Sequence, residues 1–303
     1  MSVLLSVIAI YFFIIIGYFV KKIFNDDINE KTLILISIYF LQPILTFWGL
    51  TRQKIDFNLI YTPFVYFITI SIALIILYFS SKVIFDDEKD RSIFITTSLI
   101  GNTGNLGIPL GIALFGEESV AYTSIINIAN IFFIYTVGIY FYAKNQFTFK
   151  ESIITMIKIP ILWFAIIALI FNYFNFSIHP QIDHALEMGS YAAIVIQLII
   201  FGIFLAKVNF KKPNYKLSIT TSSIKLFALP MLGIVVSFFM GLDPMIATIL
   251  IISLSTPLAV NNVNIAALYN VRPYAVTHIV LFSTLLFLVV FYFDLQIVQK
   301  VFG

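Results

Sequence analysis

Apolar residues in this chain neither alternate with polar ones nor recur at helical spacing. They run on in ten blocks of about 19 to 26 residues, near the approximately 20 that an α-helix needs to cross a bilayer. The blocks cover about 2–20, 31–50, 59–81, 92–115, 119–143, 152–174, 184–206, 217–240, 244–269 and 274–298. Short charged or turn-rich segments separate them, none large enough for a soluble domain. The pattern predicts an all-α polytopic membrane protein of ten spans.

Two blocks carry residues that weaken or break a helix at their centres. The uncharged run Ser92–Phe115 contains Gly101, Asn102, Thr103, Gly104, Asn105, Gly107 and Pro109. The uncharged run Met245–Tyr269 contains Ser255, Thr256, Pro257, Asn261, Asn262 and Asn264. Broken backbone at membrane depth is tolerated only where protein or a watery cavity surrounds it. A pair of interrupted spans in corresponding halves points to the binding site of a repeat-built transporter.

Composition agrees with this reading. Of 303 residues, 60% are hydrophobic and 11% charged, against about 25% charged in soluble domains. The net charge of +3 sits in short clusters between spans, so nucleic acid is not an expected partner. There is no cysteine and hence no thiolate chemistry, and the three histidines lack zinc-ligand spacing. No serine stands in a nucleophile elbow, so no enzyme and no cofactor are expected. The first block lacks the basic start and small-residue cleavage site of a signal peptide and is expected to be a retained span.

Lysine and arginine counts in alternate connections are 13 against 3, which places the richer set in the cytoplasm and both termini outside, in the cell membrane. Five spans then precede and five follow the link at 144–151, so the halves, 1–143 and 152–303, enter the membrane from opposite sides. At an offset of 154, Ala113–Ile125 matches Ala267–Ile279 at five of 13 positions, and the same offset superposes the two broken stretches. A 5+5 inverted repeat is the favoured architecture.

The stretches GNTGNLGIPLG in span four, TPLAVNN and AALYNVRP around span nine, Gly17-Tyr18 and LQPILTF make the chain resemble the auxin efflux carrier family, over nearly its whole length. That family includes plant PIN-type carriers and bacterial organic-acid permeases. The resemblance implies the fold of bile-acid symporters and sodium/proton antiporters. Spans 1, 2, 6 and 7 would form a scaffold and possible homodimer surface; spans 3–5 and 8–10 would form a moving core in which broken spans 4 and 9 cross. It also implies a small carboxylate as cargo and a ligand role for Asn102 and Asn130. Plant members often place a second proline where Asn262 stands.

An anionic ligand fits the residues. If spans four and nine break near Pro109 and Pro257, each second half-helix starts with unpaired N–H groups, an end that attracts anions. Asn102, Thr103, Asn105, Asn127, Asn130, Thr256, Asn261 and Asn262 are the candidate ligand contacts, and Gly101, Gly104, Gly107, Pro109 and Pro257 the hinge. Each asparagine can instead bond a neighbouring helix, and the glycines can serve close packing. Lys158 and Lys225 read as snorkelling side chains; balancing the ligand's charge is the other reading of Lys225. Glu187 and Asp294 fall towards the outer surface, leaving mid-depth without a carboxylate. The expected function is therefore export of a small organic anion driven by the membrane potential. A sodium- or proton-coupled carboxylate symporter and a non-transporting receptor are the alternatives.

Overall fold

The computed structural model describes residues 2–52, 55–143, 150–151, 154, 157–207, 214–259 and 261–302. Most of the 144–151 link therefore lies outside the described residues. Twelve helices are considered, α1 Ser2–Phe24, α2 Glu30–Arg52, α3 Phe57–Ile84, α4 Glu88–Leu99, α5 Ile108–Phe115 and α6 Ser119–Tyr142. They continue as α7 Pro160–Tyr173, α8 Pro180–Ala206, α9 Tyr215–Phe239, α10 Pro244–Ser255, α11 Asn261–Leu268 and α12 Pro273–Phe302. The described residues contain no strand.

Among the described residues, six helices are long and apolar enough to cross a membrane, and α12 makes a seventh if its two halves, bent by 55°, count as one span. The sequence predicts ten. The shorter apolar helices α7 and α10 occupy two of the expected places. Lys158 precedes α7 and is exposed.

Polar residues start the helices. Asn29, Asp87, Asn214 and Asp243 each accept from a backbone N–H in the first turn of α2, α4, α9 and α10, which satisfies donors that would otherwise be orphaned. Prolines shape their interiors. Wide π-type turns at Ser37–Leu41, Thr103–Gly107 and Ile224–Ala228 each end two residues before Pro43, Pro109 or Pro230. Proline lacks the N–H that the carbonyl four residues earlier would accept, so the ladder slips to longer bonds just ahead of it.

The chain divides into two compact units. The first comprises Met1–Ile60, Gly104–Ile128 and Ile157–Lys207. In it α1 lies along α8 and α2 packs on α7 and α8. Gly17 meets the Ile199 carbonyl and Gly202 the Ile14 carbonyl so closely that a Cβ at either would clash with backbone. This is the small-residue contact by which membrane helices approach. Leu45, Trp48, Ile108, Val120 and Ala193 form its buried cluster.

The second unit comprises Tyr61–Thr103, Ala129–Met156 and Val208–Gly303. Here α12 packs on α9 and α10, with Ile234, Ile251 and Val298 at their junction. One rim of this unit is fastened by charge. Arg272, held at a φ of 42°, donates to Asp90 and to Asp87, 2.8 Å away. Asn214 donates to Asp90 at 3.3 Å, and Lys89 to the Asn270 carbonyl at 3.1 Å. The Asp90 backbone N–H, seconded by Arg272 and the Lys89 N–H, holds the Asp87 carboxyl below the usual carboxylate range.

Candidate functional site

Both breaks predicted from the sequence are present. In the first, α4 ends at Leu99, Ile100 is extended, and helix resumes with the wide turn at Thr103. The break therefore falls several residues before Pro109, which sits in the first turn of α5. The expectation of a hinge at Pro109 is corrected accordingly. A proline is well tolerated in a first turn because the N–H it lacks has no partner there. In the second break, α10 ends at Ser255, and Thr256, Pro257, Leu258 and Ala259 are non-helical before α11. Pro257 lies within this break as expected.

Inside the second unit the two breaks are tied together. The Asn102 backbone N–H donates to the Pro257 carbonyl at 2.9 Å. Around the first break, the Asn130 amide donates to the Gly101 carbonyl and to Thr103 Oγ1, each at 3.0 Å, and accepts from the Tyr66 hydroxyl at 3.0 Å. All four residues are buried. Around the second, Ser283 accepts from the Leu258 N–H at 3.1 Å and Thr256 donates to the Ser253 carbonyl at 2.7 Å.

Lys225 lies at the centre of this arrangement. It is 1% exposed, and its ammonium donates to the Leu254 carbonyl at 2.9 Å. That carbonyl belongs to the last turn of α10, the negative end of the helix, where a cation is favourably placed. A Cβ built on Gly101 would fall 2.6 Å from Thr256 Oγ1 and 3.0 Å from Lys225 Nζ, so glycine is needed for the approach. The snorkelling reading of Lys225 is overturned. The reason is local: the wide turn ahead of Pro230 carries Lys225, and the side chain points inward to a free carbonyl.

Two amide atoms at this site make no hydrogen bond to the described residues. They are Asn102 Nδ2, and Asn262 Oδ1, whose Nδ2 donates to the Ala259 carbonyl at 2.9 Å. Buried polar atoms usually find a partner, so these are the free valences of the site. Other candidates belong to the first unit or fall on side chains that are not described. Asn127 faces Gly104 in the first unit, its Oδ1 3.0 Å from where a Cβ would stand. Asn105, Gly107 and Pro109 belong to that unit too. The side chains of Asn261 and Asn264 lie outside the described part of the chain.

Asp294, which the sequence does not mark as a site residue, is buried. Its residue is 2% exposed, beside the Ser255 hydroxyl, and neither carboxylate oxygen closes a hydrogen bond with the described residues. Ser255 is the last residue of α10, eleven beyond Pro244, or about 16 Å at 1.5 Å per residue. The sequence block ends near 298, whereas α12 runs to Phe302, with Val298 packed in one cluster with Ile251. Tyr66 and Ser283 were also not foreseen, since a lone polar residue in an apolar run carries no signal in its spacing.

A broken-helix polar site with a buried lysine, inside a helical membrane protein, is the kind of site that membrane transporters carry. The comparisons agree. A family model described as membrane transport protein matches residues 2–293, and the chain belongs to that family, the auxin efflux carriers. It is also 26% identical over 277 residues to an uncharacterized transporter of Methanocaldococcus jannaschii, covering 87% of this chain and 88% of that one.

Proposed function

We propose that this transporter moves small organic anions such as carboxylates across the cell membrane by alternating access at the crossing of the two broken spans. The observation that carries the reading is Lys225, a fully buried amine with no ion pair among the described residues, beside both breaks and two unpaired amide atoms. Burying a charge costs several kcal/mol unless something compensates it, and an anionic cargo supplies the compensation. Asn102 Nδ2 donates to the carboxylate, and the N-terminus of α11 adds a favourable partial charge. The ten-span inverted repeat, with both termini outside, is the architecture we propose around this site. An inside-negative potential favours outward movement by about 2.3 kcal/mol per charge per 100 mV.

The test is flux of labelled mono- and dicarboxylates in proteoliposomes at clamped potential. Saturable, potential-dependent flux is expected for the native protein, reduced at least about tenfold in Asn102→Ala, the equivalent of one hydrogen bond to a charged group. Flux undiminished in Asn102→Ala and in Lys225→Met would discard the site. No flux for any acid from folded protein would discard the organic-anion reading.

A further inference from the structure

We infer that the cavity where α3 ends, α4 begins and α6 ends is a site for the phosphate headgroup of an anionic membrane lipid, an inference independent of the cargo proposed above. The cavity holds about 330 Å³, within the range of ligand pockets, and the residues lining it all belong to the second unit. Its wall carries Lys82, Arg91, Ser81, Ser92, Tyr78 and Tyr140. Lys82 stands two residues before the end of α3, Arg91 in the first turn of α4, and Tyr140 two residues before the end of α6. Three ends of apolar helices therefore meet at one edge of the membrane, the level at which headgroups lie. This connection belongs to the lysine- and arginine-rich set that the sequence assigns to the cytoplasm, whose leaflet carries anionic lipids.

The two cations are positioned for an anion. Arg91 Nε donates to the Phe85 carbonyl at 2.6 Å, which fixes the guanidinium, and its terminal nitrogens bond no described residue. Lys82 makes no ion pair among the described residues, and its ammonium lies 4.3 Å from the centre of the Tyr78 ring. An arginine fork matches phosphate oxygens in geometry, and a lysine adds a point charge. Glu88 lines the same cavity, so its wall carries two positive charges against one negative. Lys216, whose ammonium donates to the Ile84 carbonyl at 2.6 Å, adds another cation at the end of α3. Asp87 and Asp90, close by in sequence, are engaged by Arg272.

The neighbouring surface distinguishes a lipid from a soluble phosphate. On the face of α3 that carries Lys82, Phe79 and Ile75 lie three and seven residues earlier, and both are exposed. They extend about 10 Å from the cavity toward the interior of the bilayer. With the exposed ring of Tyr140 they form a track for an acyl chain. A soluble phosphate has no use for that track, whereas a phospholipid covers the charges and the apolar face together. Basic pockets between membrane helices take lipid headgroups in this way.

Native mass spectrometry of the purified protein, titrated with phosphatidylglycerol or phosphatidylcholine, reads the occupancy. The native protein should take up one phosphatidylglycerol in preference to phosphatidylcholine. Lys82→Gln and Arg91→Gln should each weaken that uptake about fivefold, and the double variant about 25-fold, as for basic residues at a membrane surface. Lys82 is exposed, so its replacement tests the site even if Arg91→Gln does not fold. Lys22→Gln, an exposed cation of the first unit, should leave uptake unchanged. An equal loss in Lys22→Gln, or none in Lys82→Gln, would overturn the site in favour of a diffuse attraction. Ser92→Leu keeps both cations and narrows the cavity, and undiminished uptake there would overturn the cavity as the seat of the headgroup. Displacement of the lipid by an equal concentration of inorganic phosphate would show that the acyl chain adds nothing, and would overturn the lipid as occupant.

Discussion

The two breaks differ in how their polar groups are held. At the first, Asn130 closes a circuit through Gly101, Thr103 and Tyr66, and every heavy atom of its amide is used. At the second, the end of α10 is held by Lys225, while Ser255, Asn262 and the adjoining Asp294 keep atoms without partners. A satisfied network fixes geometry, and an unsatisfied one is a place for a ligand or a proton. The first break is thus a frame, and the second holds the reactive valences.

Substitutions that separate folding from flux test that contrast. The largest effect is expected from Lys225→Met, which removes the cation and fills its space with an apolar chain. Flux should fall about a hundredfold, as for a lost charge-assisted contact of roughly 3 kcal/mol. Thermal unfolding in detergent should occur no earlier than in the native protein, because a buried charge without an ion pair does not favour folding. A variant that unfolds early would make Lys225 part of the frame.

Asn130→Ala should do the reverse. It strands the Gly101 carbonyl and the Tyr66 hydroxyl, at about 1–3 kcal/mol each if water does not enter. An unfolding midpoint unchanged from the native one would break the distinction between the two regions. The smallest effect concerns the rim. The Asp87 carboxyl is held below its ordinary range in the folded state, so its contribution is present above the unfolded pKa of about 3.9. That contribution is lost as pH falls through the lower folded value. Arg272→Gln should flatten the acid limb of a stability–pH curve slightly, since these partners are largely exposed.

Several of these features were legible in the sequence. Length and apolarity gave the membrane class, and glycine, asparagine and proline within uncharged runs located both breaks. Three wide turns are readable afterwards from Pro43, Pro109 and Pro230, because a missing N–H acts at a fixed distance along the chain, whereas that at Ile134–Gly138 is followed by no proline. What could not be read was direction and depth. Lys225 was assigned to snorkelling because composition does not say which way a side chain points. The burial of Asp294 was not foreseen, because an apolar block marks where hydrophobicity stops, whereas the helix continues four residues further to Phe302. Asn127 and Asn130 are three apart in one helix, and nothing in that spacing marks Asn130 as the residue that bonds the Gly101 carbonyl.

The knot of Arg272, Asp87, Asp90 and Asn214, with Lys89 on Asn270, joins three separate connections into one piece. An antibody fragment that grips any of those loops grips them all. Such a reagent would be a handle on the whole rim, suited to adding mass for single-particle imaging or to arresting the transporter in one posture for study.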